Sequence, residues 1–364
     1  MKRLRVALTI EQCWHDVPGG TAVAALGMAR GVETTGDAGV VGVAAAHRRP
    51  PPEPWVPPFE VRHLPLPRPA LYESWHRLRA PRVERAAGRV DVVHASAFPT
   101  PPRSAPLVLT IHDLAWIEDA SHFTRRGLSF FRRGLELALR DADLVLCPSQ
   151  ATRSDCWRAG FEERRVRVVP LGVDAAPSTS DRVAAVRRRY GLDRPYVLWA
   201  GTIEPRKNLG GLLDAYRRLD ADVDLALAGP KGWNEDLDAR LGDDRSGVHV
   251  LGFVPAGDLP PLYAGASAFC FPSFMEGFGF PVLEAMAQGT PVVTSAATST
   301  QELAEGAGIL VDPRDPESIA EGLAAALDEG RRAELSQAGR ARAGQYTWER
   351  TGRMLVDAYR EVCG

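Results

Sequence analysis

The chain has 364 residues, more than one hydrophobic core usually serves, so its length predicts two domains. Its 45% hydrophobic and 25% charged residues are typical of a folded globular protein and exclude a disordered chain. The net charge of −2 conceals an asymmetry, because residues 1–170 carry +6 and residues 171–364 carry −8. A basic first half favours an anionic acceptor or an anionic membrane surface as a partner. The alternative is that the surface charge of the two halves diverged without functional cause. Nucleic acid is not an expected partner.

Targeting signals are not evident in this sequence. The basic N-terminus is followed by only five or six apolar residues before Glu11, which indicates a first strand and not a signal peptide. No stretch approaches the roughly 20 apolar residues that span a membrane. The cysteines are odd in number and show no C-x-x-C spacing, which favours reduced thiols and a cytoplasmic protein: Cys13, Cys147, Cys156, Cys270 and Cys363.

Short runs rich in Val, Ile and Leu alternate with helical patterns along the chain, as in doubly wound parallel sheets. The predicted strands of the first half are 4–10, 38–46, 90–96, 106–112, 142–149 and 166–172. Those of the second half are 196–202, 223–229, 248–253, 266–273, 290–295 and 308–313. Helical patterns lie between them, for example at 208–219, 281–288 and 316–329. A small, polar stretch at 174–181 predicts a hinge, and the proline-rich residues 46–58 predict a loop.

Ligands of doubly wound sheets bind where strands end and helices begin. After the first strand, Gly19 and Gly20 allow close approach of a ligand to the backbone, although two glycines before a helix are more often a simple turn. Thr21 is a candidate cap for the helix that follows. The spacing is not G-x-G-x-x-G, which disfavours a dinucleotide oxidoreductase. His112 and Asp113 end strand 106–112 at the same edge, where a lone histidine is as often structural as functional.

Two cations follow strand 196–202 directly. Arg206 and Lys207 precede a helix for which Asn208 is the predicted N-cap, and both are expected to be exposed. Positive charges beside the positive end of a helix dipole are unfavourable without an anion, and a diphosphate would supply one. A solvated basic turn is the alternative. Since the chain has only three lysines against 41 arginines, a lysine within a motif is more informative than usual.

The most specific segment follows strand 266–273. A glycine-rich loop leads to Pro281 in a first helical turn, and the helix ends at Gly289. Amides at this helix N-terminus can bind a diphosphate, Glu276 can accept hydrogen bonds from sugar hydroxyls, and Glu284, eight residues later, from ribose hydroxyls. The segment therefore predicts a nucleotide-sugar site whose loop contributes Gly277, Phe278 and Gly279.

Together these motifs resemble glycosyltransferase family 4, retaining enzymes of the GT-B fold, over nearly the whole chain. The matching segments are PGG at 18–20, HD at 112–113, LVLCPSQATRSD at 144–155, VRVVPLGVD at 166–174, GTIEPRKN at 201–208, GFVPAGDLPPLYAGASAFCFPS at 252–273, the pair Glu276 and Glu284, and the C-terminal tail. The resemblance implies an α/β protein with two doubly wound Rossmann-like domains facing a central cleft. It places an acceptor-side domain at 1–172, a donor domain at 173–345 and a returning helix at 346–364.

The resemblance also implies roles for individual residues. Gly20 approaches the donor phosphate, His112 contacts the transferred sugar, and Arg206 with Lys207 binds the diphosphate, while Glu276 binds the sugar and Glu284 the ribose. Charge stabilisation of the leaving diphosphate then replaces a metal, and no metal or cofactor is expected. The D-x-D strings 141–143 and 222–224 are interpreted as strand-edge residues.

The implied activity is retaining transfer of a hexose from a nucleotide-diphosphate sugar. EPRKN and HDLAW favour mannose and GDP-mannose, and the acceptor is a glycan, a lipid-linked molecule or a small molecule that the sequence does not identify. Two departures from the family, TAVAALGMARG without an aromatic residue and SAATSTQEL before the last strand, concern the acceptor. A transfer-inactive nucleotide-sugar-binding protein and a GT-B-type epimerase are the alternatives.

One helical pattern raises the question of membrane contact. Residues 123–140 place arginines beside Phe123, Phe130 and Phe131, as in a helix that lies on an anionic membrane. The alternative is an ordinary surface helix whose phenylalanines pack inward. The first interpretation implies a peripheral protein at the inner face of the membrane.

Overall fold

The computed structural model describes residues 2–119, 124–232, 237–242 and 245–364. These residues form two compact units, one comprising 1–172 with 346–364 and the other 173–345. Each unit is a parallel sheet with helices between its strands.

The first unit contains a seven-stranded sheet of order β3-β2-β1-β4-β5-β6-β7. The inner strands β4, β5 and β6 are buried at every position, which explains their high Val and Leu content. The strands are β1 (Leu4–Thr9), β2 (Ala38–Ala44), β3 (Val61–His63), β4 (Val92–Ala95), β5 (Leu107–Thr110), β6 (Leu144–Cys147) and β7 (Val166–Val168). The helices are α1 (Gly19–Thr34), α2 (Arg68–Arg77), α3 (Glu84–Ala87), α4 (Ala115–Glu118), α5 (Arg125–Asp141) and α6 (Gln150–Arg158).

The second unit contains a six-stranded sheet of order β10-β9-β8-β11-β12-β13. Its strands are β8 (Tyr196–Ala200), β9 (Asp224–Ala228), β10 (Val248–Gly252), β11 (Ala268–Phe271), β12 (Val292–Ser295) and β13 (Ile309–Val311). Its helices are α7 (Ser180–Tyr190), α8 (Leu209–Tyr216), α9 (Leu237–Leu241), α10 (Leu259–Gly265), α11 (Phe280–Gln288), α12 (Ser299–Ala304), α13 (Pro316–Leu327) and α14 (Glu329–Ala343). All twelve predicted strands are present with shorter limits, whereas β3 was not predicted, because the edge sequence Val-Arg-His has no apolar run.

The last helix, α15 (Trp348–Cys363), packs against α1 in the first unit. A side chain on Gly31 or Gly352 would overlap the facing backbone, so these glycines allow the two helices to touch. From the sheet, the buried His94 hydrogen-bonds to Tyr359 and Thr110, both at 2.8 Å. Burial lowers the pKa of His94 to about 3, so its ring is neutral and joins the helix to strand β4 as one donor and one acceptor.

Helix α5 contains most of the pattern proposed for membrane contact. Phe130 stacks on the ring of His76, with centroids 4.3 Å apart, and Phe131 stacks on Trp116 at 5.9 Å. Both phenylalanines therefore pack within the unit, in agreement with the surface-helix alternative. Phe123 lies outside the described residues.

The exposed surface of α5 is basic, because Arg125, Arg126 and Arg132 are all exposed. None of the described helices is both long enough and apolar enough to cross a bilayer. Contact with an anionic membrane therefore stays a prediction that would depend on these arginines and not on inserted phenylalanines.

Candidate functional site

Two loops of the second unit meet because their strands are neighbours. Strands β8 and β11 pair in parallel, with Val197 opposite Ala268, so the loops that follow them emerge at one edge of the sheet. The first loop forms a short 3-10 turn at Pro205–Lys207 and continues into α8, and the second leads into α11. The amide of Phe274 donates a hydrogen bond to the carbonyl of Arg206 at 2.9 Å and joins the two loops.

Asn208 fixes the position of the first loop. It is the N-cap of α8, as predicted, and its Oδ1 accepts a hydrogen bond from the amide of Gly211 at 3.2 Å. Its φ of 53° is in the left-handed region, which asparagine tolerates better than most residues. Its side-chain amide donates to the carbonyls of Pro272 and Pro313 at 3.0 and 2.6 Å. The turn that carries Arg206 and Lys207 is thereby attached to the loops that follow β11 and β13.

Four charged side chains form one ion-pair cluster at this edge. The ammonium of Lys207 pairs with Oε1 of Glu276, and the guanidinium of Arg206 lies 3.1 Å from Oε2 of the same carboxylate. Arg206 also lies 2.8 Å from the carboxylate of Glu204. Side-chain exposure is 9% for Lys207, 8% for Glu276, 4% for Glu204 and 27% for Arg206. Arg206 is therefore the member of the cluster most accessible to a ligand.

Burial and neighbouring charge act together on the ionisation of the cluster. Burial lowers the pKa of the Lys207 ammonium, and the neighbouring Arg206 adds to this effect. Burial alone would raise the pKa of Glu276, but Lys207 and Arg206 together hold it below its ordinary value. Glu276 is therefore an ionised carboxylate that holds two cations at fixed positions.

The expectation that Arg206 and Lys207 form an exposed and uncompensated positive cluster was wrong. Lys207 is buried, its ammonium lies 4.7 Å from the ring centre of Phe271, and two carboxylates balance the two cations. Glu204 stands within the motif EPRKN but was not selected, because nothing local indicates which way its side chain turns. The role of the cations toward a diphosphate remains a prediction.

The loop before α11 is held in a conformation that requires glycine. Gly279 has a φ of 106°, and a Cβ there would lie 2.7 Å from Cγ2 of Thr300. The hydroxyl of Ser299 donates to the carbonyls of Glu276 and Phe278 at 2.7 and 3.2 Å. Pro281 and Gly289 stand in the first turn and at the left-handed C-cap of the helix, as predicted. Ser299, which no motif in the sequence marks, therefore supports the loop.

Gly277 and Phe278 are both buried. The ring of Phe278 is 6% exposed and meets the ring of Phe280 edge-on, with centroids 5.3 Å apart. Phe278 is thus a packing residue by its side chain. A contribution of this segment to donor binding would come from its backbone.

Glu284 lies on the second turn of α11 beside a tyrosine that was not predicted. The hydroxyl of Tyr263 donates to its carboxylate at 3.0 Å. Burial raises the pKa of Glu284, although the bond from Tyr263 opposes that rise. The tyrosine orients the carboxylate, and the proposed contact with a ribose stays a prediction.

In the first unit, Gly19 and Gly20 are exposed where α1 begins after β1. Gly19 has a φ of 58°, a conformation that favours glycine. The expectation that Thr21 caps this helix was wrong, because the N-cap is Pro18 and the hydroxyl of Thr21 donates to the Pro18 carbonyl. The open backbone at the two glycines is the property that the prediction required of them.

His112 follows β5 at the same edge of the first sheet. Its Nε2 lies 2.9 Å from the carbonyl of Ser96, so Nε2 is the donor of the ring. Burial lowers the pKa of His112, and its imidazole is neutral with the lone pair on Nδ1. Asp113 accepts a hydrogen bond from the amide of Ala115, the first residue of α4, at 3.2 Å. His112 can therefore accept a hydrogen bond from a hydroxyl, and Asp113 is structural.

The aspartates of the two D-x-D strings are engaged within the protein. Asp141 pairs with Arg79 at 2.6 Å, and Asp143 pairs with Arg103 at 2.7 Å. In the second unit Asp224 pairs with Arg194 at 2.7 Å. Over the described part of the chain, no group of three or more His, Cys, Asp or Glu side chains is placed to hold a metal ion.

Both units of the chain match models of known protein families. A family model described as Glycosyltransferase Family 4 matches residues 18–177, and one described as Glycosyl transferases group 1 matches residues 194–329. The O-antigen chain mannosyltransferase B of Escherichia coli is 34% identical over 307 residues, which cover 80% of each chain. The chain belongs to glycosyltransferase family 4. This family 4 protein is therefore a sugar-transferring enzyme, a hexosyltransferase.

Other relatives and structures are similar to this family 4 enzyme over most of its length. The D-inositol 3-phosphate glycosyltransferase of Salinispora tropica is 33% identical over 322 residues, covering 78% of this chain and 66% of the relative. Anabaena Alr3699/HepE in complex with UDP and glucose superposes with a TM-score of 0.75 at 21% identity, covering 98% and 100% of the chains. The lipopolysaccharide glycosyltransferase WaaG has a TM-score of 0.73 at 18% identity, covering 97% and 99%. These similarities identify the fold as GT-B, with two Rossmann-like domains.

Proposed function

We propose that this enzyme transfers a hexose, with mannose as the favoured sugar, from GDP-mannose to a hydroxyl of its acceptor with retention of anomeric configuration. The ion-pair cluster of Glu204, Arg206, Lys207 and Glu276 at the edge of the second sheet is the observation that carries the proposal. The identity to a mannosyltransferase supports the choice of sugar. A structural neighbour that contains UDP and glucose supports a nucleotide-sugar donor.

The chemistry assigned to the cluster is stabilisation of the leaving diphosphate. Negative charge accumulates on the diphosphate as the glycosidic bond breaks, and donors already in position lower the barrier because they need not reorganise. Arg206 is the accessible cation, and Glu204 with Glu276 holds its guanidinium in one orientation. Amides at the N-terminus of α11 add partial positive charge. Because these groups supply the charge, we propose that transfer requires no metal.

Each unit, taken by itself, offers side chains that would bind part of the donor. Glu276 keeps lone pairs for sugar hydroxyls beyond those that its cations occupy, since a carboxylate has about four acceptor positions. Neutral His112 supplies an acceptor at Nδ1, and Glu284 supplies one for the ribose. The acceptor substrate is proposed to be a glycan, a lipid-linked molecule or a small molecule.

Thermal shift and product analysis test the proposal. The enzyme is mixed with GDP-mannose, UDP-glucose and ADP-glucose in excess EDTA, and stabilisation of about 2.7 kcal/mol is expected at a concentration 100-fold above the dissociation constant. A bacterial glycan extract then supplies acceptors for transfer of labelled mannose, and NMR of the product reports its anomeric configuration. Stabilisation by none of the three donors, or activity that depends on added magnesium or manganese, would contradict the proposal.

The location proposed for the enzyme is the cytoplasm, with peripheral contact at the inner face of the membrane. All five cysteines are free, and four of them are buried, which suits a reducing compartment. Vesicle sedimentation with and without anionic lipid tests the membrane contact. Binding is expected only to anionic vesicles and only at low salt, because exposed arginines and not inserted phenylalanines would mediate it.

A further inference from the structure

A cavity in the first unit is lined by residues other than the glycines and the histidine assigned above. It has a volume of about 270 Å³ and is formed by the segments that follow β1 and β2 together with strand β3. The proline-rich loop at 46–58 forms one of its walls. Its size is close to the lower end of small-molecule sites, which begin at about 300 Å³.

Three rings form a wall of this cavity. The indole of Trp14 stacks on the imidazole of His47, with centroids 4.7 Å apart and planes 8° from parallel. The imidazole of His63 meets both rings edge-on, at 5.7 and 6.1 Å. Aromatic surface with a few fixed polar groups is the usual composition of a small-molecule site. The wall therefore suits the apolar face of a sugar ring.

Hydrogen bonds within the protein fix the orientation of both imidazoles. Nε2 of His47 lies 2.9 Å from the carboxylate of the buried Glu11, which also accepts a bond from the amide of Ala45 at 2.8 Å. Nδ1 of His63 lies 2.7 Å from the carbonyl of Ala45. Each ring donates on that side, so Nδ1 of His47 and Nε2 of His63 remain to bond a ligand hydroxyl. Across the described residues, neither of these nitrogens bonds to another protein group.

The charge at the cavity is positive on its open side. Arg48 and Arg49 line it, and both side chains are exposed. In the part of the chain that the structure describes, neither guanidinium forms an ion pair with an acidic residue. Glu11, the acidic group nearest to the rings, is 4% exposed and is already bonded to His47. Two adjacent guanidiniums without carboxylate partners favour an anionic ligand.

We propose that this cavity binds a sugar ring that carries a phosphate or a carboxylate, with the ring against Trp14, His47 and His63 and the anion on Arg48 and Arg49. The inference rests on the proposed function, because it assigns this ring to the acceptor substrate. It specifies an anionic acceptor, which the transferase assignment alone does not.

Isothermal titration of the full chain tests the ligand class. The probes are glucose 6-phosphate, glucuronate, glucose and inorganic phosphate, measured at low and at physiological salt. Saturable binding of one anionic sugar, at least tenfold tighter than both glucose and inorganic phosphate, is expected. Preference for the phosphate or the carboxylate identifies the source of the anion. Equal binding of glucose, equal binding of inorganic phosphate alone, or no binding by either anionic sugar overturns the proposal.

Matched variants locate the site. Arg48→Gln/Arg49→Gln is expected to weaken binding of the anionic sugar at least tenfold, and His63→Phe to weaken it severalfold by removing the free ring nitrogen. Arg62→Gln is the control, because Arg62 lies on β3 between two lining residues but pairs with Glu60 at 2.7 Å. Equal losses in the control and the double variant would overturn the proposal. Titration with GDP and UDP is run on every variant. If the wild type binds a nucleotide but neither anionic sugar, only this inference is refuted. If the wild type binds neither GDP nor UDP, the proposed function is refuted.

Discussion

Replacing Lys207 with alanine should unfold the second unit at a clearly lower temperature. The ammonium of Lys207 and the carboxylate of Glu276 are 9% and 8% exposed, so the substitution leaves a buried carboxylate with one partner fewer. Breaking a buried ion pair by removing one member costs about 3–5 kcal/mol. Because Arg206 stays 3.1 Å from Glu276, we expect a loss near the lower end, about 3 kcal/mol.

This loss is measurable as a change in melting temperature. The second unit comprises residues 173–345, and for domains of that size each kcal/mol shifts Tm by about 2–4 °C. Lys207→Ala should therefore lower the Tm of that unit by roughly 6–12 °C in differential scanning calorimetry. Hydrogen exchange of peptides from β8 and α8 identifies the transition as that of the second unit, because a protein of two units need not unfold in one step.

Lys231 provides a matched control in the same unit. Its side chain is 83% exposed and lies 3.4 Å from Asp238, which is 59% exposed. An exposed pair of this kind is screened by solvent and contributes little to stability, so Lys231→Ala should leave Tm nearly unchanged. The double variant Lys207→Met/Glu276→Gln should be less destabilised than the sum of its single variants, because no unpaired charge remains. If Lys207→Ala melts within about 2 °C of the wild type, the cation is solvated as the sequence suggested and the buried-pair argument is refuted.

Three further predictions concern the same edge of the second sheet. Arg206→Lys keeps a charge near Glu204 and Glu276 but loses the planar guanidinium, so kcat/KM for transfer should fall roughly 100-fold. Its Tm should fall less than that of Lys207→Ala. Unchanged kcat/KM would show that Arg206 does not bind the diphosphate. The pKa of Glu276 is held below 4.5, so its ion pairs stabilise the protein above that pH, and this stability is lost as the pH falls through the lowered pKa. Urea unfolding from pH 6 to pH 3 should show the free energy of unfolding falling with pH. Glu276→Gln should make this pH dependence smaller. Glu284→Gln keeps an acceptor for the Tyr263 hydroxyl and removes a carboxylate whose pKa burial has raised, so Tm should not fall. GDP binding, measured by titration calorimetry, should weaken about tenfold. Unweakened binding would contradict the ribose assignment.

Local features of this protein were readable from its sequence. Strands β4, β5 and β6 are rich in Val and Leu because both faces of an inner parallel strand are buried. Asn208 and Gly289 mark a helix start and a helix end, since each satisfies backbone groups within a few residues of itself. Such signals depend on neighbours along the chain, so the element order and the two Rossmann-like domains followed from them.

Contacts between distant segments were decided by the tertiary structure alone. Lys207 and Glu276 are 69 residues apart and meet only because β8 lies beside β11 in the sheet, an order that the strand sequences do not specify. The same adjacency buries Lys207. Its position just before a helix had predicted an exposed side chain. In the first unit the amphipathic pattern of α5 fits both a membrane surface and a protein surface, and only the rings of His76 and Trp116 show which one receives its phenylalanines. Charge pairing and the direction of an apolar face depend on what packs opposite, and the sequence around a residue does not contain that information.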